Sequence, residues 1–240
     1  MSEHISRKEL KQDKIKETIE HGAEAVISHG QFTLIVVIVI LAGALGYGGW
    51  RFYIDRQTLA ASAEFDAGMK AYQGRIAAVP DPADPSQPFY SDESARAQDA
   101  MQKFLKAADK YPSTNPGKLA RYYAALCLED LEHHNQALEE LKKISGSGDK
   151  ELAAMAQYQT ATIYSRTGKT DDAVKIFRAL ADKQSALVPR PLVLLELAGI
   201  LRSSNPKEAA SIYQQIKKEF PDTAIADQAD RGLDNLSPKS

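Results

Sequence analysis

The sequence predicts an all-α protein: a single N-terminal transmembrane helix, then an α-solenoid of about four helical hairpins closed by a C-terminal capping helix. Three observations carry this. Gly30 to Trp50 reads GQFTLIVVIVILAGALGYGGW and contains no Asp, Glu, Lys or Arg. Beyond it the chain is rich in Ala, Leu, Lys, Glu and Gln and poor in β-branched runs, which favours helices throughout. Within that helical part, four segments align at nearly constant spacing.

The apolar run, residues 30–50, has the length a helix needs to cross a hydrocarbon core, about 20 residues. No face of it is left polar, so it does not read as a buried globular helix. Tyr47, Trp50, Phe52 and Tyr53 cluster at its end, where amphipathic rings suit the headgroup layer, and Arg51 and Arg56 can snorkel there. The other reading is a cleaved signal peptide, with Ala42-Gly43-Ala44 as the cleavage site. A signal peptide carries a short basic leader, whereas here a long charged segment precedes the run, and the apolar stretch continues past Ala44. No cysteine lies near its end to take a lipid.

Residues 1–29 form a charged tail with five basic and six acidic residues. Ile15, Ile19, Ala23, Val26 and Ile27 recur at helical spacing, which predicts a modestly amphipathic but solvated helix. Basic residues on the two sides of the span are nearly balanced, so the positive-inside rule barely discriminates. A short tail before one span and a long domain places the N-terminus in the cytoplasm and the domain outside.

The whole chain has 240 residues, 30 basic and 32 acidic, for a net charge of −2. No basic field exists to hold nucleic acid. Cys127 is the single cysteine, so no intramolecular disulfide forms, and its apolar stripe marks it as a small core residue.

Residues 58–236 carry the helical domain. A helix is expected from about Thr58 to Arg75 on Leu59, Ala63, Phe65, Ala67, Met69 and Tyr72. A proline-rich loop over residues 77–91 follows, where Pro80, Pro82, Pro85 and Pro88 forbid a helix. The aligned segments then begin at Ala100, Ala137, Ala173 and Ala209, spaced by 37, 36 and 36 residues. The fifth position is bulky (Phe104, Leu141, Phe177, Tyr213), and the eighth is apolar (Ala107, Ile144, Leu180, Ile216). Pro112 and Pro221 end two of the units. Each unit reads as a helical hairpin that buries its apolar face only by stacking on its neighbours, and the segment from Asp222 to Leu236 reads as a polar cap.

This pattern, A-x3-F-x2-A with a closing proline, resembles helix B of the tetratricopeptide repeat (TPR). The preceding helices agree in part: Ala161, Tyr164 and Gly168 fall where that motif places its small residue, its Tyr and its inter-helix glycine. Ala125 with Leu128, and Leu197 with Ile200, match in the neighbouring units. The motif's Trp is replaced by Arg121, Gln157 and Val193.

A search for chemistry finds none that converges. His4, His21 and His29 lie in the tail, and the adjacent His133 and His134 sit in a turn where they do not meet on one metal. SGSGD at 145–149 lacks the Lys-Ser/Thr of a phosphate loop. No catalytic, cofactor or metal site is expected, and the chain does not read as an enzyme. What the resemblance implies instead is a concave protein-binding groove lined by the first helix of each hairpin. It assigns to that groove Tyr122, Leu126, Glu129, Tyr158, Thr162, Arg166, Leu194 and Arg202. The rings of Tyr122 and Tyr158 would equally serve to cover neighbouring hairpins.

The order of charged tail, span ending GYGGWRFY and TPR-like array is similar to the YfgM-like family of bacterial inner-membrane proteins. That resemblance implies a single-pass protein with a cytoplasmic N-terminus and a periplasmic domain. It implies an ancillary partner of the Sec translocon that links secreted proteins to periplasmic chaperones. The alternative is an envelope-assembly or cell-division scaffold that docks another periplasmic or outer-membrane protein. Units ending KYP (Lys110–Pro112) and EFP (Glu219–Pro221) resemble those of such proteins. Either way the partners are other proteins, with the lipid bilayer contacted through residues 30–50.

Overall fold

The structure, a computed structural model, describes residues 30–77, 87–183 and 185–236. The expected tail and the middle of the proline-rich segment lie outside these residues. The chain divides into two units, Met1–Arg56 and Gln57–Ser240.

In the first unit the described chain is all helix. α1, Gly30–Tyr72, runs unbroken for 43 residues and continues into the second unit. Every described residue between Leu34 and Tyr53 is exposed, including Leu34, Ile35, Val39, Ile40, Leu41 and Trp50. This is the one helix among the described residues long and apolar enough to cross a membrane. A helix suits that setting because it satisfies every backbone N–H and C=O internally. At the end of the run Tyr47 packs on Trp50 and the Arg56 guanidinium lies 4.9 Å from the centre of the Phe52 ring.

The second unit is a succession of helices: α2 (Glu93–Lys110), α3 (Asn115–Asp130), α4 (His134–Ser145), α5 (Lys150–Arg166), α6 (Thr170–Ala181), α7 (Arg190–Ser204), α8 (Pro206–Glu219) and α9 (Ala224–Asp234). Each packs on the next, the contact pattern of stacked hairpins. The aligned positions occupy α2, α4, α6 and α8. Ala100, Ala137, Ala173 and Ala209 are each 0% exposed, and Phe104, Leu141, Phe177 and Tyr213 are buried one turn later. The core is a chain of three clusters along the stack. Met101 touches both the first and second, and Met155 both the second and third.

The first hairpin pairs the second half of α1 with α2. Phe104 of α2 packs against Phe65 and Tyr72 of α1 and Tyr123 of α3, with ring centroids 5.4–6.3 Å away. Gly68 makes room for that ring: a Cβ there would lie 2.4 Å from Phe104 Cδ1. The same device recurs at the other end, where a Cβ on Gly232 of α9 would lie 2.5 Å from Tyr213 Cζ. The proline-rich insertion between α1 and α2 differs from a plain loop at its base. There β1 (Arg75–Ile76) pairs in parallel with β2 (Phe89–Tyr90), and the Tyr90 hydroxyl bonds to Asp99 of α2.

The connections follow capping chemistry. Tyr111-Pro112-Ser113-Thr114 and Phe220-Pro221-Asp222-Thr223 carry the same threonine cap, although Asp222 adopts φ 58°. In each the threonine hydroxyl accepts from the backbone N–H three residues on (Gly117, Ala226) and donates to the aromatic residue's carbonyl. Proline is tolerated there because the helix has already ended. Between α3 and α4, Glu132 adopts φ 60°, and Gly168 adopts φ 80° at the matching place between α5 and α6. The longer connection between α6 and α7 is held by Glu151 of α5, whose carboxylate accepts from the Ser185 hydroxyl and the N–H groups of Ala186 and Leu187.

Candidate protein-binding site

The first helices of the second, third and fourth hairpins are α3, α5 and α7, so residues 36 apart recur at matching places along them. Tyr122 and Tyr158 are half-buried. Burial raises both phenol pKa values, and the Glu196 carboxylate raises that of Tyr158 further. The Tyr158 hydroxyl donates to Glu196 Oε1 at 3.4 Å, and its ring meets Phe177 edge-on at 5.5 Å. Tyr122 meets Tyr123 edge-on at 5.9 Å. Both rings therefore have intramolecular neighbours while keeping exposed area, as amphipathic side chains do. Thr162 lies one turn on from Tyr158 and donates back to its carbonyl at 3.1 Å. Leu126 is half-buried, whereas Leu194 is 4% exposed and belongs to the core of the last two hairpins.

Glu129 is the buried acid of this region, also 4% exposed. One carboxylate oxygen lies 2.7 Å from His134 Nδ1 at the start of α4, and the other accepts from Arg166 Nη1 at 3.1 Å. An unpaired carboxylate at this depth would be costly, so the two partners explain its placement. Glu129 thus joins its own hairpin to the next. Arg166 keeps 56% of its side chain exposed. Arg202, at the matching place in α7, is exposed, makes no ion pair among the described residues and bears electrostatically on Tyr213.

Of the eight expected residues, the structure brings Glu129 and Arg166 into contact and keeps Tyr122, Leu126, Tyr158, Thr162 and Arg202 at least partly accessible. It withdraws Leu194 into the core. Sequence reading missed two partners, Glu196 and His134. Glu129 and Arg166 are opposite charges one repeat plus one residue apart, a spacing that could have been read. No such signal marks Tyr158 and Glu196. Among the described residues no group of three or more His, Cys, Asp or Glu side chains could hold a metal.

Comparison with known proteins settles the family. The tetratricopeptide repeat-like domain matches residues 27–187, about two thirds of the chain. The chain belongs to this family. A tetratricopeptide repeat also matches residues 192–223, which takes in α7 and α8 of this TPR-like stack. Among solved structures, a crystal structure of kinesin-light-chain-type, nearly identical TPR-like repeats from Podosopora anserina superposes with a TM-score of 0.52. It is 11% identical over 73% of this chain and 84% of that one, a likeness of fold alone. No curated protein matches the chain. TPR domains are protein–protein interaction scaffolds and typically non-catalytic, and this is the coarse function of the stack.

Proposed function

We propose that this TPR-like protein is a single-span membrane scaffold whose repeat stack docks other proteins outside the cytoplasm. In this reading it is an ancillary Sec-translocon partner that passes emerging chains to periplasmic chaperones, as its likeness to YfgM-like proteins implies. The observation that carries the reading is the unbroken α1. From Leu34 to Trp50 it exposes only apolar and small residues, enough to cross a bilayer core, and its second half is the first helix of the first hairpin. The family match itself begins at residue 27 and takes in the apolar run. Tyr122, Tyr158, Arg166 and Arg202 offer the mix of rings and cations that holds a partner segment.

A photo-crosslinking residue at Thr162, and a second at Tyr47, tests this in intact cells. Adducts with translocon subunits from both sites are expected. Adducts confined to outer-membrane or peptidoglycan-linked proteins would replace the reading with the envelope-assembly scaffold. A reporter fused after Ser240 and active only outside the cytoplasm tests the orientation, and a silent reporter on an intact protein would reverse it.

A further inference from the structure

Arg121, Gln157 and Val193 occupy matching places in α3, α5 and α7, and the structure treats the three differently. In the second hairpin Arg121 fills the furrow between α2 and α4: its guanidinium donates to Asp109 at 2.8 Å, to the Ala108 carbonyl at 3.1 Å and to Glu140. In the fourth hairpin Val193 is 0% exposed and packs into the core. In the third, the Gln157 side chain makes no hydrogen bond to any described residue. It lines two adjoining hollows instead, one of about 290 Å³ between α4 and α5 and one of about 440 Å³ between α5 and α6.

The walls have changed in character as well. The place of Asp109 is taken, 37 residues on, by Gly146, and that of Glu140, 36 residues on, by Ile176. The two acids that close the furrow in the second hairpin are therefore gone. Tyr164 joins Gln157 in both hollows and gives the floor an aromatic surface beside Ile176. Lys142, Lys175 and Lys183 stand exposed at the rim and make no ion pair among the described residues. Glu139 and Asp172 also border the hollows, so the rim keeps a net positive charge.

We propose that the furrow over Gln157, between α4 and α6, is a second docking site, taking an acidic segment of a partner protein with an apolar side chain against Tyr164 and Ile176. The partner's carboxylates face Lys142, Lys175 and Lys183, supplying the charge that Asp109 and Glu140 supply around Arg121. This site uses a different stripe of α5 from Tyr158 and Thr162, so a segment here and a partner on those residues are independent of each other.

The test uses the full chain in detergent and two fluorescent peptides of about 12 residues. One alternates Glu and Asp with Phe and Leu, and the other replaces each acid by Lys. Fluorescence anisotropy is expected to show binding of the acidic peptide, weakened by salt because the lysines are exposed. Gln157→Trp, which fills the furrow, is expected to weaken that binding about tenfold or more. Lys142→Glu, Lys175→Glu and Lys183→Glu together change only exposed side chains and are expected to shift the preference to the lysine peptide. Tyr122→Ala with Tyr158→Ala is expected to leave the acidic peptide's affinity unchanged. Absent binding, equal binding of both peptides, or binding that ignores both the filled furrow and the reversed rim would overturn the proposal. None of these results bears on crosslinks made from Thr162 or Tyr47, which test the proposed function separately.

Discussion

Gly68→Ala probes whether the second half of α1 is part of the repeat stack or a spacer. A Cβ at Gly68 would lie 2.4 Å from Phe104 Cδ1 and 2.5 Å from Cε1, so the ring must withdraw by about 1 Å to reach ordinary contact. It has nowhere to go. Phe104 is 0% exposed and enclosed by Phe65, Tyr72 and Tyr123. Overpacking of this kind costs about 1–3 kcal/mol. Replacing glycine by alanine inside a helix returns about 1 kcal/mol. The net expectation is a destabilisation of up to about 2 kcal/mol, or a Tm lower by up to about 8 °C in a chain of this size. The control is Gly199→Ala in α7, where a Cβ meets nothing within 4 Å. There the helical gain stands alone, and stabilisation of about 0.5–1 kcal/mol is expected. Both are read by circular dichroism during thermal unfolding of the full chain in detergent. If Gly68→Ala matches Gly199→Ala in raising Tm, the packing of α1 on α2 described above is wrong.

Other consequences can be checked with the same preparation. Glu132 holds φ 60° where Gly168 stands in the next hairpin, so Glu132→Gly is expected to raise stability by up to about 1 kcal/mol, measured by urea unfolding. Phe177→Ala empties a fully buried site that also supports Tyr158, and a loss of about 3–5 kcal/mol is expected. Burial pushes the Cys127 thiol up to about 12, so alkylation at pH 8 is expected only as fast as the protein unfolds; rapid labelling of the folded chain would contradict this. Hydrogen bonds from Ser185 and Leu187 hold the Glu151 carboxylate below its ordinary value of 4.5. Its contribution is therefore present above that value and lost as pH falls through the lower folded value. Proteolysis of the 182–189 connection is expected to rise with acid in that window, and Glu151→Gln is expected to remove the rise.

What could be read from the sequence was what repeats. The small residue, the bulky residue one turn later and the closing proline are each set by contacts made inside one hairpin or with its neighbour. Ala100, Phe104 and their counterparts were therefore found by spacing alone. The continuity of α1 was harder to see, because the apolar run and the amphipathic segment after Thr58 have different patterns and no breaker between them. The pairing of β1 with β2 escaped because two residues leave no periodicity. At the candidate site, the side chains facing neighbouring hairpins were legible as positions but not as partners. Leu194 and Glu129 both read as groove residues by register, yet Leu194 lies in the core of the last two hairpins and Glu129 is buried between His134 and Arg166. Register gives the stripe, and only packing decides how deep each residue sits on it.

The claim on which the functional reading stands is that residues 30–50 remain in the protein as a bilayer anchor for the stack. Mass spectrometry of the chain recovered from alkali-washed host membranes tests it directly. The account predicts a membrane-retained chain that still contains residues 30–50. A soluble chain beginning just after Ala44 would contradict it.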